Sequence, residues 1–152
     1  MKDVPVADAV KILRQNLGDA MPLSYWRLVR LVAISRAFGN SSDDVLDKLG
    51  KEIGKLLAVK TAEDIVVALE DAQVGIGNPL EVRTGFYAFE FKECCTCAGV
   101  DPLVGQPMCD MELAMIQGAL EKIGIDVVGA KETKCIGGLG DPVCRFEFDV
   151  KE

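Results

Sequence analysis

Hydrophobic positions in the first half of the chain recur at helical intervals. Over residues 6–17, Val6, Val10, Leu13 and Leu17 share one helical face, and Gly18 follows as a stop. Residues 23–38 (LSYWRLVRLVAISRAF) leave only a narrow polar stripe at Ser24, Arg27 and Arg30, the pattern of a helix that is mostly buried. Gly39-Asn40 ends that helix, and Ser41 or Ser42 can cap a third one. The third carries Val45, Leu49, Ile53 and Leu56/Leu57 on one face. Thr61 opens a fourth helix, with Asp64 three residues on as the acid of a capping box.

The period changes after Gly75. GIGNP is a turn-rich break, and residues 80–93 read as extended chain. There Tyr87, Phe89 and Phe91 alternate with Ala88, Glu90 and Lys92, the period of a half-buried strand. Residues 94–106 form a connection containing Cys, Gly and Pro. Residues 107–123 return to helical spacing through Cys109, Leu113, Ile116, Leu120 and Ile123. Two further strands are expected at 125–134 and 143–150, joined by IGGLGDP as a flexible connection. Helices first, then strands with one helix among them, predict an α+β fold with an antiparallel sheet. One domain over 1–152 is expected, with a helical part at 1–73 and a sheet, helix and metal-site part at 74–152.

Composition narrows the function classes. The chain is acidic, with a formal net charge of -7, and lacks the basic stripe of a nucleic-acid binder. Acidity also disfavours docking on anionic membranes. No apolar run reaches the roughly 20 residues that span a bilayer. MKDVPVADAV lacks the apolar core of a signal peptide, so the cytoplasm is the expected compartment. There the six cysteines serve better as metal ligands, catalytic groups or core residues than as disulfides. The absence of histidine excludes His bases, His dyads and His-bound metals.

Cysteine positions say more than their number. Cys109 opens a helix on its apolar face, Cys135 ends a strand, and Cys144 shares a strand face with Phe146, Phe148 and Val150. If the last two strands pair and the helix packs on them, three sulfurs converge. Glu132 is the natural fourth ligand of a tetrahedral zinc site. In a strict pleat, however, Glu132 and Cys135 point to opposite faces, so a bulge or the strand end must correct the phase. The same cysteines can also serve simply as small core hydrophobes. Cys94, Cys95 and Cys97 form a second thiol cluster. Its C-x2-C pair suits redox chemistry, a second metal or an iron–sulfur cluster, or stands as reduced loop thiols.

The tail ETKC followed by GDPVCRFEFDV, preceded by CxxCxG and a helix beginning at Cys109, resembles the 4-vinyl reductase domain family. The resemblance covers roughly residues 60–151 well and the N-terminal helices only loosely. It is strongest to small archaeal members described as hydrocarbon-binding. It implies a fold similar to haem-NO-binding domains and small subunits of a vesicle-tethering complex. By position it also implies zinc, with iron as the other candidate, on Cys109, Glu132, Cys135 and Cys144.

The leading functional expectation is a domain that binds a small hydrophobic or aromatic ligand, with a structural zinc. Trp26, Phe38, Tyr87, Phe89, Met111 and Met115 are candidate lining residues, each of which can equally be ordinary core. A closed four-ligand site leaves no open position for water, so the metal is not expected to catalyse. One alternative is a reductase or redox protein acting on a vinyl or tetrapyrrole-type substrate. No GxGxxG fingerprint supports it, and a non-enzymatic role is favoured. The other alternative is a dimeric interaction protein, a homodimer burying the apolar 23–38 helix.

Overall fold

The structure, a computed structural model, describes residues 14–17 and 20–151. The helix expected over 6–17 falls mostly outside the described residues.

Helix α1 (residues 23–38) is α-helical at Leu23–Arg27, π-helical at Leu28–Ala33 and α-helical again at Ile34–Phe38. Its expected burial is not observed. Arg30 is its one buried residue, while Leu23, Tyr25, Leu28 and Phe38 are exposed. The physical reason lies in the two arginines of the polar stripe. Arg27 donates from Nε to the Cys95 carbonyl (2.8 Å) and from Nη2 to the Ala98 carbonyl (2.7 Å). Arg30 Nη2 donates to the Met108 carbonyl (3.2 Å) and pairs with Asp110 (2.6 Å) and Glu112 (3.4 Å). The polar stripe is therefore the docking face, and apolar side chains are left outside.

A 3-10 turn at Gly39–Ser41 leads into α2 (Ser42–Leu56). Ser41 sits at its N-cap position without a side-chain capping bond, and Asp43 and Asp44 place negative charge against the helix dipole instead. Helix α3 (Ala62–Asp71) has the expected capping box: Thr61 Oγ1 accepts from the Asp64 N–H, and the Asp64 carboxylate accepts from the Thr61 N–H.

The sheet has five antiparallel strands: β1 (Ile76–Gly77), β2 (Glu81–Arg83), β3 (Phe86–Lys92), β4 (Val127–Lys134) and β5 (Cys144–Val150). Their order is β1-β3-β5-β4, with β2 also paired to β3. The extended chain expected over 80–93 is a hairpin of β2 and β3, because Gly85 adopts φ +70° and turns the chain. Helix α4 (Asp110–Lys122) separates the first three strands from β4, as the helical spacing predicted. The IGGLGDP connection contains a short helix, α5 (Ile136–Leu139).

Alternation along the strands builds the core. Phe89 stacks edge-on against Phe148 at 5.8 Å, and Phe91 lies 6.4 Å from Phe146. Ile116, Ala119 and Leu120 of α4 join the same core. On β5, the intervening Arg145 binds Glu81, Glu90 and Glu147 at 2.6–2.9 Å.

Helix α4 packs on α2 with backbones in close approach. A Cβ on Gly54 would collide with the Met115 carbonyl, and one on Gly118 with the Lys51 carbonyl. Helix propensity alone would make Gly54→Ala stabilising by about 1 kcal/mol. Overpacking against fixed backbone reverses the sign, so Gly54→Ala is expected to destabilise by about 1–3 kcal/mol. A lower urea midpoint at unchanged slope is the readout. Arg30→Met strands the Glu112 carboxylate, which is 2% exposed, and is expected to cost about 3–5 kcal/mol. Glu112→Gln added to Arg30→Met removes that charge. The double variant should therefore unfold at higher urea than the single one; the reverse order would reject the pairing.

Candidate metal centre and ligand groove

Four chain segments meet beside Cys109. Cys109 is the N-cap residue of α4, Cys135 the N-cap residue of α5, and Cys144 the first residue of β5. Cys94 and Cys97 come from the turn after β3. All five are free thiols and buried.

Cys109 Sγ lies 4.0 Å from Cys135 Sγ, 3.9 Å from Cys144 Sγ and 3.6 Å from Cys94 Sγ. Cys97 Sγ lies 3.2 Å from Cys144 Sγ. Zinc–sulfur bonds of about 2.3 Å set a tetrahedral sulfur–sulfur edge of about 3.8 Å. Two quartets each bring all four donor atoms within 4.8 Å of one another. One is Cys109, Glu132, Cys135 and Cys144, the set the sequence pointed to. The other is Cys94, Cys97, Cys109 and Cys144. Cys94 and Cys97 are thus part of the same centre rather than a separate loop cluster, while Cys95 points elsewhere.

The phase problem at Glu132 is resolved by an irregularity in β4. Pairing with β5 shifts register between Glu132 and Lys134, which brings Glu132 and Cys135 to one side. Glu132 Oε2 accepts the Cys109 N–H at 2.8 Å, and Oε1 is buried without a partner. Burial raises the Glu132 pKa against the lowering effect of the Cys109 N–H. An orphaned carboxylate oxygen beside thiols is a donor arrangement that suits zinc or ferrous iron. Within the cluster, the neighbouring thiols, Cys109 first, hold the Cys97 pKa well below the usual thiol range. Cys109 is pushed up, first by Cys135 and then by Cys144.

The connection expected to be flexible wraps the centre. The Gly138 N–H donates to Cys135 Sγ (3.3 Å), the Ile136 N–H to Cys144 Sγ (3.5 Å) and the Cys135 N–H to Asp141 (2.9 Å). Such N–H donors stabilise thiolates and fix their orientation. Gly138 is required by closeness: a Cβ there would collide with the Gln106 carbonyl.

Sequence reasoning missed a second buried feature. Thr96 Oγ1 donates to Glu112 Oε1 at 2.5 Å, Cys95 Sγ lies 4.0 Å from that oxygen, and Arg30 holds Oε2. The one sequence signal was the polar stripe on α1; Glu112 sits in the run Met111–Met115 with nothing to mark it.

Beside this knot opens a groove of about 590 Å³, lined by Leu23, Trp26, Ile53, Val74, Cys95, Met111, Glu112 and Met115 among others. Of the six candidate lining residues, Trp26, Met111 and Met115 meet there. Phe38 is exposed at the end of α1, Tyr87 is half-buried on β3, and Phe89 is sealed in the core.

No family model matches the chain. It is 30% identical over 144 residues to the uncharacterized protein MJ0150 of Methanocaldococcus jannaschii, covering 91% of this chain and 81% of that one. A second protein of that organism, MJ1642, is 26% identical over 138 residues, covering 88% and 80%. Among solved structures, a vinyl-4-reductase family protein from the same organism superposes with a TM-score of 0.64 at 21% identity, covering 88% of this chain and 84% of that chain. The phenol-responsive sensory domain of the transcription activator PoxR, solved with phenol, gives 0.61 at 13% identity, covering 88% and 77%. A trafficking protein particle complex subunit 3 from Naegleria fowleri, covalently bound to palmitic acid, gives 0.65 at 19% identity, covering 86% and 95%. The chain therefore belongs to one family with MJ0150, and it shares its α+β fold with the vinyl-4-reductase family protein, the family that its ETKC and GDPVCRFEFDV segments resemble.

Proposed function

We propose that this chain binds a small hydrophobic or aromatic molecule in the groove over α4, with zinc as a structural clamp on Cys109, Glu132, Cys135 and Cys144. The groove carries the reading. Its volume lies within the roughly 300–1,000 Å³ of ordinary ligand sites. Its walls are Trp26 and methionines, which adapt to apolar ligands. Its polar lining includes Asp71, Gln73, Glu93, Cys95 and Glu112. Two proteins of this fold were solved with an apolar or aromatic molecule, phenol in one and palmitate in the other. The clamp would join α4 to the β4–β5 hairpin. Met111 and Met115 lie on the helix that Cys109 opens, so metal and groove share one element.

Trp26 is the single tryptophan, so its fluorescence reports on the groove. Titration with a naphthalene-sulfonate dye, phenol and palmitate is expected to change that emission with at least one of them. Met115→Glu should weaken that binding at least tenfold while zinc content stays constant. Zinc is expected in chain purified without chelator and should be lost in Cys144→Ser. Wild type that takes up none of the probes rejects the binding reading; wild type free of metal rejects the clamp.

A homodimer through α1 is favoured by a separate observation. Tyr25, Leu28 and Phe38 are each more than half exposed on a helix anchored by its arginines. A second copy would cover this face without disturbing the anchor. Light scattering should then give twice the chain mass, falling to one chain with Leu28→Asp. A monomeric wild type at micromolar concentration would dismiss it.

A further inference from the structure

The two donor quartets are not rival descriptions of one site. Each is complete by itself for a four-coordinate ion, and they share Cys109 and Cys144. The shared pair is 3.9 Å apart, about the 3.8 Å edge of a zinc–thiolate tetrahedron. Two tetrahedra joined along one edge have this arrangement, with the edge atoms as bridges. We propose that the centre holds two zinc ions. Cys94 and Cys97 are terminal ligands of one, Glu132 and Cys135 are terminal ligands of the other, and the thiolates of Cys109 and Cys144 bridge them. This rests on the metal reading above and extends it.

Two observations favour two ions over one. A single ion in the all-cysteine quartet leaves Glu132 Oε1 buried and unpartnered, as it stands now. A single ion in the other quartet leaves Cys94 and Cys97 buried beside the occupied site with their sulfurs 3.6 and 3.2 Å from its ligands. An iron–sulfur core is the poorer occupant. Inorganic sulfide set between iron atoms would push the cysteine sulfurs apart, whereas the four of the all-cysteine quartet lie within 4.8 Å of one another.

The test is metal stoichiometry and metal–metal coupling in the full chain. Native mass spectrometry of chain produced in zinc-supplemented medium should show two zinc ions per chain. Cys94→Ala with Cys97→Ala should retain one, and so should Glu132→Gln with Cys135→Ala; Cys144→Ala should lose both. Chain produced with cobalt(II) tests bridging without any substitution. Two thiolate-bridged high-spin ions couple antiferromagnetically, so the paramagnetic signal per cobalt should fall as occupancy rises from one ion to two. One zinc in wild type, kept when Cys94 and Cys97 are replaced, overturns the second ion and leaves the single clamp standing. Two ions without coupling overturn the bridge. A brown chain containing acid-labile sulfide overturns zinc pairing in favour of a cluster. A wild type with no metal overturns this proposal and the clamp together. Variants that fail to fold leave the wild-type stoichiometry and cobalt coupling to decide.

Discussion

Side chains that become anionic as metal ligands are gathered in the interior beside Cys109, and the rest of the C-terminal half is arranged around them. Burying negative charge without a counter-charge is strongly unfavourable. The neighbourhood supplies backbone N–H donors to Cys135, Cys144 and Glu132 but, among the described residues, no basic side chain that hydrogen-bonds to them. The donors come from the turn after β3, the start of α4, the end of β4 and the start of β5. A metal ion that neutralises them also joins these four segments. Under the proposed reading that ion is zinc, and its binding energy adds to the strand pairing and core packing that already hold these segments together.

Helix α4 transmits this order to the groove. Its first turn belongs to the thiol centre, its middle contributes Met111, Glu112 and Met115 to the groove and the polar knot, and Gly118 lies against α2. The approach of α2 is set by backbone contact at Gly54 and Gly118, which leaves no slack for α4 to slide. The opposite wall is α1, held by hydrogen bonds from Arg27 and Arg30 together with the packing of Trp26 and Ile34 against the core.

The orientation of α1 follows from the same electrostatics. Glu112 is buried and needs a positive partner, and Arg30 reaches it from α1. Turning the apolar face of α1 inward would remove Arg30 from Glu112 and Asp110, and Arg27 from two backbone carbonyls. The apolar area left outside is what the proposed second copy would cover.

Local patterns in the sequence determined what depends on neighbours in the chain. Alternation over Tyr87–Phe91 set β3, Thr61 with Asp64 set the start of α3, and helical spacing from Cys109 set α4. Phase alone brought Cys109, Cys135 and Cys144 together and showed that Glu132 required an irregular strand. Tertiary structure decided whatever depends on distant partners. Cys97 and Cys144 are 47 residues apart, and nothing local to either announces that their sulfurs meet. Arg30 and Glu112 are 82 residues apart, so a polar stripe that reads as solvent-facing became a docking face. The donor cluster around the four residues that the spacing suggested is therefore larger than that spacing could show. Its extra thiols arrive through a turn whose path is set by packing.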